Sequence, residues 1–440
     1  MLLVGIDIGT TTICGVLFDR TNKRTILSNT IANHFINEKD ATQSPEEILD
    51  KVLQIINIFI SKAKNLKSEI RGLSISSQMH GILYVDEKGK AITPFYTWQN
   101  PWGSKPEVEQ KISKILKFKV YTGYGIVTHL QNPHFDKNSK YFCNIGDYIL
   151  MRLANNTIPI TDISMAASMG IWNTENQSLI KEFSSEKYLF PKVISKPTVI
   201  GEFQGIKLVQ AIGDNQASFL GSSKDLYRSL VLNYGTSGQL SFYSEHSLTL
   251  KGFEKRPLGN GYLYVAFSLS GGDSVKILAN FFSEILNLCE AKSEISIYNA
   301  LDKIDIAKVN NEGIIFKPYF LGKRGYVELN ANITGIKKSN FHPKIILRAL
   351  LEGVVKEIHE YYTLLPNEIK KTKDLLIGTG NGIKKNNNLK KIIEEIYKKN
   401  LKLSTVEEDS CIGAIIHLSV GLNLDNNYME GIKFMKETNN

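Results

Sequence analysis

One short pattern occurs twice in this chain, at its start and just past its middle. Val4-Gly5-Ile6-Asp7-Ile8-Gly9-Thr10-Thr11-Thr12 is the first copy; Leu230-Val231-Leu232-Asn233-Tyr234-Gly235-Thr236-Ser237-Gly238 is the second. In each, an apolar run of strand character ends at a glycine followed by small hydroxyl residues. Glycine lets a backbone approach an anion closely, and Gly235 is expected in a conformation that a side chain would disturb. The amides and hydroxyls of Thr10, Thr11, Thr12, Thr236 and Ser237 can then donate to phosphate oxygens. Two such turns predict two lobes closing on one polyphosphate. Asp7 sharpens the reading. A carboxylate inside an apolar strand is costly unless it is paired or meets a cation. Mg²⁺ travelling with a nucleotide's phosphates is such a cation.

At 440 residues the chain is long enough for two or three domains with separate cores. Apolar residues make up 42% and charged residues 22%, which fits a globular chain. No run approaches the roughly 20 apolar residues of a membrane span. The N-terminal apolar stretch breaks at Asp7 with no basic region before it, so no signal peptide is expected. Cys14, Cys143, Cys289 and Cys411 show no CxxC spacing. They read as free thiols of a reducing cytoplasm. The formal net charge of +9 comes from lysines interleaved with Asp and Glu along the whole length, without regular aromatics. That pattern describes solvated helix faces, so no nucleic-acid partner is expected.

The order of elements argues for α/β architecture. Leu2–Ile8 and Thr12–Phe18 read as adjacent strands, and Gly72–Ser76 as a third. Ser44 to Ala63 reads as a helix, with Ser44 as N-cap, Pro45 in the first turn and Glu47 closing a capping box. Ile48, Leu49, Val52, Leu53, Ile56, Phe59 and Ile60 follow its period. After Tyr121 the chain reads as loop until a helix near Asp147–Ala154. The second half repeats the theme, with strands at Ser229–Leu232, Gln239–Phe242 and Leu375–Gly378 and helices at Leu347–Tyr362 and from Leu389 to Tyr397. The lobe boundary is expected near residues 218–228, giving lobes of 1–222 and 223–440.

Gly213-Asp214-Asn215-Gln216 follows the apolar run Leu208–Ile212. An Asp at a strand end beside glycine faces a cleft readily, and there it can take a proton from a hydroxyl. The plain alternative is an Asx turn or a helix N-cap; its place just before the second turn favours the functional reading. Gln78 and His80, in Ser77-Gln78-Met79-His80-Gly81, offer hydrogen bonds suited to a polyol, and Met79 offers an apolar wall. The Trp98 indole, followed by Gln99, can stack on a sugar or sit in the core. Eight histidines show no zinc-type pairing. Gly378-Thr379-Gly380-Asn381-Gly382 is by itself a generic strand-to-helix turn.

Taken together these residues resemble the FGGY family of carbohydrate kinases, along nearly the whole chain. The resemblance rests on Asp7–Thr11, Gln78–Gly81, Gly213–Asn215, Gly235–Gly238, Pro318-Tyr319-Phe320-Leu321-Gly322-Lys323-Arg324 and Glu407–Ala414. Within the family the likeness is to the sedoheptulokinases, through Thr97-Trp98-Gln99, Thr122–Gly125 with Thr128-His129, Gly146–Tyr148, Ser164–Ser168, Asn340–Pro343 and Gly378–Asn386. The resemblance implies two RNase H-like (actin-like ATPase) lobes with an active-site cleft between them. It also implies ATP and Mg²⁺, with Asp214 as catalytic base and Asp7 with Asp214 at the metal. Gln78, Met79, His80, Trp98, Gln99 and Asn215 would hold the sugar. Thr10–Thr12, Gly235–Ser237, Gly272, Gly380 and Asn381 would hold the nucleotide.

The reaction so implied is phosphorylation of the terminal primary hydroxyl of a ketose, sedoheptulose first, by a monomer or homodimer. A pentulose kinase, or a sugar sensor with weak turnover, is the alternative. One departure stands out. Relatives commonly follow Trp-Gln with an Asp, a spacer and an Arg, whereas here Asn100-Pro101-Trp102-Gly103 carries no charge. Lys323, where Glu is common, is a smaller one.

Overall fold

A computed structural model of the chain describes residues 1–436 except 184–188, 291–295, 325 and 327. In the first half, Leu2–Ile8 (β1), Thr12–Asp19 (β2) and Arg24–Ala32 (β3) form an antiparallel meander. Ile70–Ser77 (β4) runs parallel to β1 on its other side. Val199–Phe203 (β5) and Ile206–Val209 (β6) form a hairpin, and β6 runs parallel to β4. Ile212–Gly213 (β7) pairs with the last residues of β4. The sheet order is β5-β6-β4-β1-β2-β3.

The second half rebuilds that order. Ser229–Tyr234 (β8), Gly238–Ser244 (β9), Glu254–Leu258 (β10), Gly261–Ser268 (β11), Leu375–Thr379 (β12) and Leu401–Leu403 (β13) lie as β10-β11-β9-β8-β12-β13. Strands β8, β9, β11, β12 and β13 thus repeat β1, β2, β3, β4 and β6, with the same antiparallel and parallel pairings. The two Gly-Thr turns fall at the same place, between the first and second strands of each sheet. Asn233 stands two residues before Gly235, as Asp7 stands before Gly9.

Helices cover both faces of each sheet. Pro45–Asn65 (α1) starts where the sequence places it, and Ser44 Oγ accepts from the Glu47 amide at 3.3 Å. Ile48, Val52, Ile55 and Phe59 of α1 bury against Leu2, Val4 and Ile6, as do Ile145 and Ile149 of Ile145–Leu153 (α2). Each such side chain is worth roughly 1.5–3 kcal/mol when fully removed from water. The stretch after Tyr121 is less irregular than expected, since Gly125–Leu130 is helical and Tyr141–Cys143 is a strand. Both belong to a smaller core, with Ile82, Tyr84, Tyr96 and Met169, beneath the loops that follow β4.

Asp214–Ser222 (α3) is the helix that follows β7. On the far face of the second sheet lie Gly272–Leu288 (α4), Pro343–Leu364 (α5) and Asn387–Tyr397 (α6). The last of these layers is Asp409–Gly421 (α7), which packs with α3 between the two sheets. A Cβ on Gly413 would lie 1.8 Å from the Ala217 carbonyl oxygen, and one on Gly221 would lie 1.9 Å from that of Asp409. The two helices therefore touch backbone to backbone and run antiparallel, with the end of α3 beside the start of α7. No helix among the described residues is long and apolar enough to cross a membrane. All four cysteines are free, and all but Cys289 are buried.

Candidate active site

The carboxyl ends of β1, β4 and β7 form the cleft floor. Ser76 lies opposite Asp7 on one side and opposite Ile212 on the other. That register brings Asp7, the Ser77–His80 turn and Asp214 to one level. Ser76 Oγ donates to Asp7 Oδ1 at 2.6 Å. Burial pushes the Asp7 carboxyl up to about 7, against that hydrogen bond, and the carboxylates of Asp214 and Glu408 push it the same way. Burial also raises Asp214, offset by the Asn215 side chain and the Arg256 guanidinium. Asn215 Nδ2 donates to Asp214 Oδ1 at 2.8 Å, which fixes the carboxylate, while the buried Asn215 Oδ1 has no partner among the described residues. Among the described residues no group of three or more His, Cys, Asp or Glu side chains stands ready to cage a metal. The residues fit Mg²⁺ of another kind. Such an ion keeps most of its shell as water and phosphate and needs only one or two carboxylates, which Asp7 and Asp214 would supply.

The first turn is tied from beneath. Gly9 N donates to Thr12 O at 2.9 Å, and Asn33 holds both Gly9 O and Thr11 O. Thr10 Oγ1 donates to Gln78 Oε1 at 3.1 Å, and Gln78 Nε2 donates to Gln43 Oε1 at 2.8 Å. Gln78 is 2% exposed, so it braces this turn from behind and does not line the cavity described below. Thr11 and Thr12 are exposed, and of the three threonines only Thr10 lines the cavity described below. At the second turn, Gly235 N donates to Ser237 O and Gly272 N donates to Gly235 O at 2.8 Å, so α4 begins against it. Thr236 and Ser237 are exposed. The amides of Thr10, Thr11, Thr236 and Ser237 have no acceptor among the described residues, which suits turns that receive an anion.

Gly235 corrects one expectation. Its φ is not positive, and a Cβ there would meet nothing within 4 Å. The position keeps space open and does not need an unusual backbone. Gly380 is the reverse case, with φ +83° and a would-be Cβ 2.3 Å from Asn233 Oδ1. It seats the loop before the exposed Asn381 against the end of β8.

Between the lobes lies a cavity of about 490 Å³ that holds Asp214 and Asn215 together with Thr10 and Ser237 of the two turns. Met79, His80 and Trp98 line it, as the sequence suggests. The His80 amide donates to Ser168 Oγ at 3.1 Å, and the ring Nδ1 lies 2.8 Å from the Ser168 carbonyl. A carbonyl only accepts, so Nδ1 carries the proton and Nε2 is left as an acceptor. Burial, and then Arg256, lower the imidazole to about 4, so it is neutral at physiological pH. Its ring stacks on Tyr124 at 4.5 Å. Trp98 is 45% exposed at the cavity wall, not in the core, and its Nε1 donates to Thr10 Oγ1 at 3.0 Å. Gln99 is exposed and outside the cavity lining.

Asn100 and Trp102 face away from the cavity. Asn100 is fully buried, donates to Asp40 O at 3.0 Å and accepts from the Trp102 amide at 3.2 Å. Trp102 packs on Tyr96 at 4.8 Å. Besides Asp214, the charges in the cavity come from Glu254, Arg256 and Arg324, none of which was expected as a site residue. Tyr121, Thr122 and Tyr124 were also missed as lining residues. The available signal was Glu254-Lys255-Arg256 on a strand, where alternate residues share a face.

A model described as the FGGY family of carbohydrate kinases, N-terminal domain, matches residues 2–231. A xylulose kinase of Lactococcus lactis subsp. lactis (strain IL1403) is 23% identical over 96% of this chain and 88% of its own length. A sedoheptulokinase of Mus musculus is 24% identical over 90% of this chain and 92% of its own. The crystal structure of a gluconate kinase from Lactobacillus acidophilus superposes with a TM-score of 0.84, covering 98% of this chain and 92% of that one at 21% identity. At that identity the likeness is one of fold, the two-lobed actin-like ATPase fold.

Proposed function

The chain belongs to the FGGY family of carbohydrate kinases, and from that premise we propose that it transfers the γ-phosphoryl group of ATP to the terminal primary hydroxyl of a ketose, with sedoheptulose as the acceptor. The observation that carries this reading is the single cavity that holds Asp214, His80 and Trp98 together with residues of both Gly-Thr turns. An acceptor hydroxyl beside Asp214 and phosphates on the two turns would then meet in one cavity, and such positioning is most of what phosphoryl transfer asks of a protein.

Asp214 takes the hydroxyl proton as the oxygen attacks phosphorus, with Asn215 keeping its carboxylate in one orientation. The free amides of Thr10, Thr11, Thr236 and Ser237 donate to phosphate oxygens as negative charge shifts among them. Mg²⁺ bound with the nucleotide would neutralise phosphate charge near Asp7. Neutral His80 offers Nε2 to a sugar hydroxyl, and Trp98 and Met79 give the sugar an apolar wall. Closing the lobes excludes water and limits hydrolysis of ATP.

Xylulose kinase, sedoheptulokinase and gluconate kinase relatives stand at similar distance, so the acceptor is decided by direct comparison. The reading expects the highest kcat/KM for sedoheptulose in an ADP-release assay that also includes xylulose, ribulose and gluconate. A tenfold preference for another acceptor, about 1.4 kcal/mol, replaces sedoheptulose and leaves the kinase reading in place.

A further inference from the structure

Apart from Asp214, the charged side chains that line the acceptor cavity come from the second lobe. Glu254 and Arg256 lie two residues apart on β10 and so leave the same face of the strand. Arg256 Nη2 donates to Glu254 Oε2 at 2.7 Å, and Arg324 pairs with Glu254 Oε1. Both guanidiniums lie over the Phe267 ring, at 5.2 and 4.6 Å. The Arg256 and Glu254 side chains are 10% and 19% exposed. Burying an ion pair is costly, and its attraction alone seldom repays the desolvation. Burial works against the charged form of Glu254, yet the two arginines hold its carboxyl below the usual range.

The pair is also incompletely used. Arg256 Nη1 reaches across the cleft to Met79 Sδ at 3.4 Å, and a thioether is a weak acceptor. A strong donor is therefore held in the cavity without a strong partner. Among the described residues the first lobe contributes no cation to the lining of this cavity, and Asn100 and Trp102 are engaged outside it.

Glu254 and Arg256 mark the end of that cavity too. They line it together with Met79, His80, Tyr121 and Tyr124, and the same six residues line an adjoining cavity of about 280 Å³. The second cavity contains Lys119, Trp172 and Asn173 but neither Asp214 nor Ser237. The pair thus stands between the reacting end of the acceptor site and further space beyond it.

We propose that Glu254 and Arg256 determine acceptor specificity, binding hydroxyls at the end of the sugar farthest from Asp214. The carboxylate accepts and Arg256 Nη1 donates, exchanging Met79 for a sugar oxygen. A longer acceptor has the adjoining cavity to extend into. Because the pair belongs to the second lobe, a sugar seated on the first lobe is fully held only when both lobes engage it. This inference rests on the kinase reading above.

The test compares kcat/KM for sedoheptulose and xylulose in the wild type, Glu254→Gln, Arg256→Lys and the more exposed Arg324→Gln. Glu254→Gln and Arg256→Lys are expected to raise acceptor KM about tenfold, leave ATP KM unchanged and shift the ratio between the two acceptors about fivefold or more. Arg324→Gln is expected to do the same more weakly. The wild type supplies a measurement independent of any variant's folding. An acceptor lacking the hydroxyl on the carbon farthest from the phosphorylated end is expected to lose about tenfold in kcat/KM. Full activity on that deoxy acceptor, unchanged KM in a folded variant, or equal losses on both acceptors would overturn the proposal. A wild type that releases no ADP with any sugar overturns the kinase reading instead.

Discussion

Ser76 donates its hydroxyl proton to Asp7 at 2.6 Å from the neighbouring parallel strand, and this is the one side-chain hydrogen bond that Asp7 receives among the described residues. One bond does not offset the burial of the carboxylate or the nearness of Asp214 and Glu408. In the folded chain without nucleotide, Asp7 therefore holds its proton up to about pH 7.

The sign of the effect on stability follows. A carboxyl whose folded pKa is raised favours the folded state fully below its unfolded value, and loses that contribution as pH rises through the folded value. Asp7→Asn is neutral at every pH. It is expected to raise the melting temperature at pH 8, and to raise it less at pH 5, while lowering turnover and raising the Mg²⁺ requirement. A melting temperature that falls at pH 8 with an unaltered Mg²⁺ requirement would make Asp7 a structural residue only.

Asp147 gives a second pH dependence that is independent of the cleft. It lies buried on α2, and burial pushes its carboxyl up to about 8. By the same sign, its contribution is complete below about pH 4 and is lost as pH rises through 8. Asp147→Asn is expected to stabilise the chain by on the order of 1 kcal/mol or more at pH 8, with a smaller effect at pH 5. Denaturant melts at the two pH values check this, and equal shifts at both would contradict it.

Gly123 and Gly235 separate the two halves of the site. A Cβ on Gly123 would lie 1.9 Å from the Trp98 carbonyl oxygen, so Gly123→Ala must displace the Trp98 loop. Acceptor KM is expected to rise about tenfold or more, with ATP affinity retained. A Cβ on Gly235 meets nothing within 4 Å. Gly235→Val is therefore expected to fold normally and to weaken ATP binding with sugar binding spared. Calorimetry with each ligand reads both outcomes, and unchanged ATP affinity in folded Gly235→Val removes this turn from the phosphate site.

Much of this was legible in local sequence because the chemistry coincides with strand ends. The runs before Gly9, Gly235 and Asp214 are apolar strands that stop at small residues, and the structure puts all three stops at one cleft. What local sequence does not carry is the direction of a side chain in a loop. Gln78 and Gln99 looked alike as polyol ligands, yet one is buried behind the first turn and the other faces solvent. The helix α4 was not foreseen. Ile277, Phe281, Ile285 and Leu288 are exposed while Val275, Leu278 and Ala279 are buried, so apolar residues on both sides blur its period. The Glu254–Arg256 pair escaped for another reason. Its partners are Phe267 on the neighbouring strand, Arg324 some 70 residues on and Met79 of the other lobe, and none is a local neighbour in sequence.

The central claim is that sugar-dependent transfer from ATP runs through Asp214. Asp214→Asn keeps the shape of the side chain and removes the proton acceptor. The most direct measurement is ADP release with saturating ATP, Mg²⁺ and sedoheptulose, in the wild type and in Asp214→Asn, with sugar affinity measured alongside. The account predicts sugar-stimulated release in the wild type, a kcat lower by about 10²-fold or more in the variant, and little change in sugar affinity. A variant that keeps more than about half of wild-type turnover, where a positioned general base is worth far more, or a wild type whose ADP release ignores sugar, would contradict it.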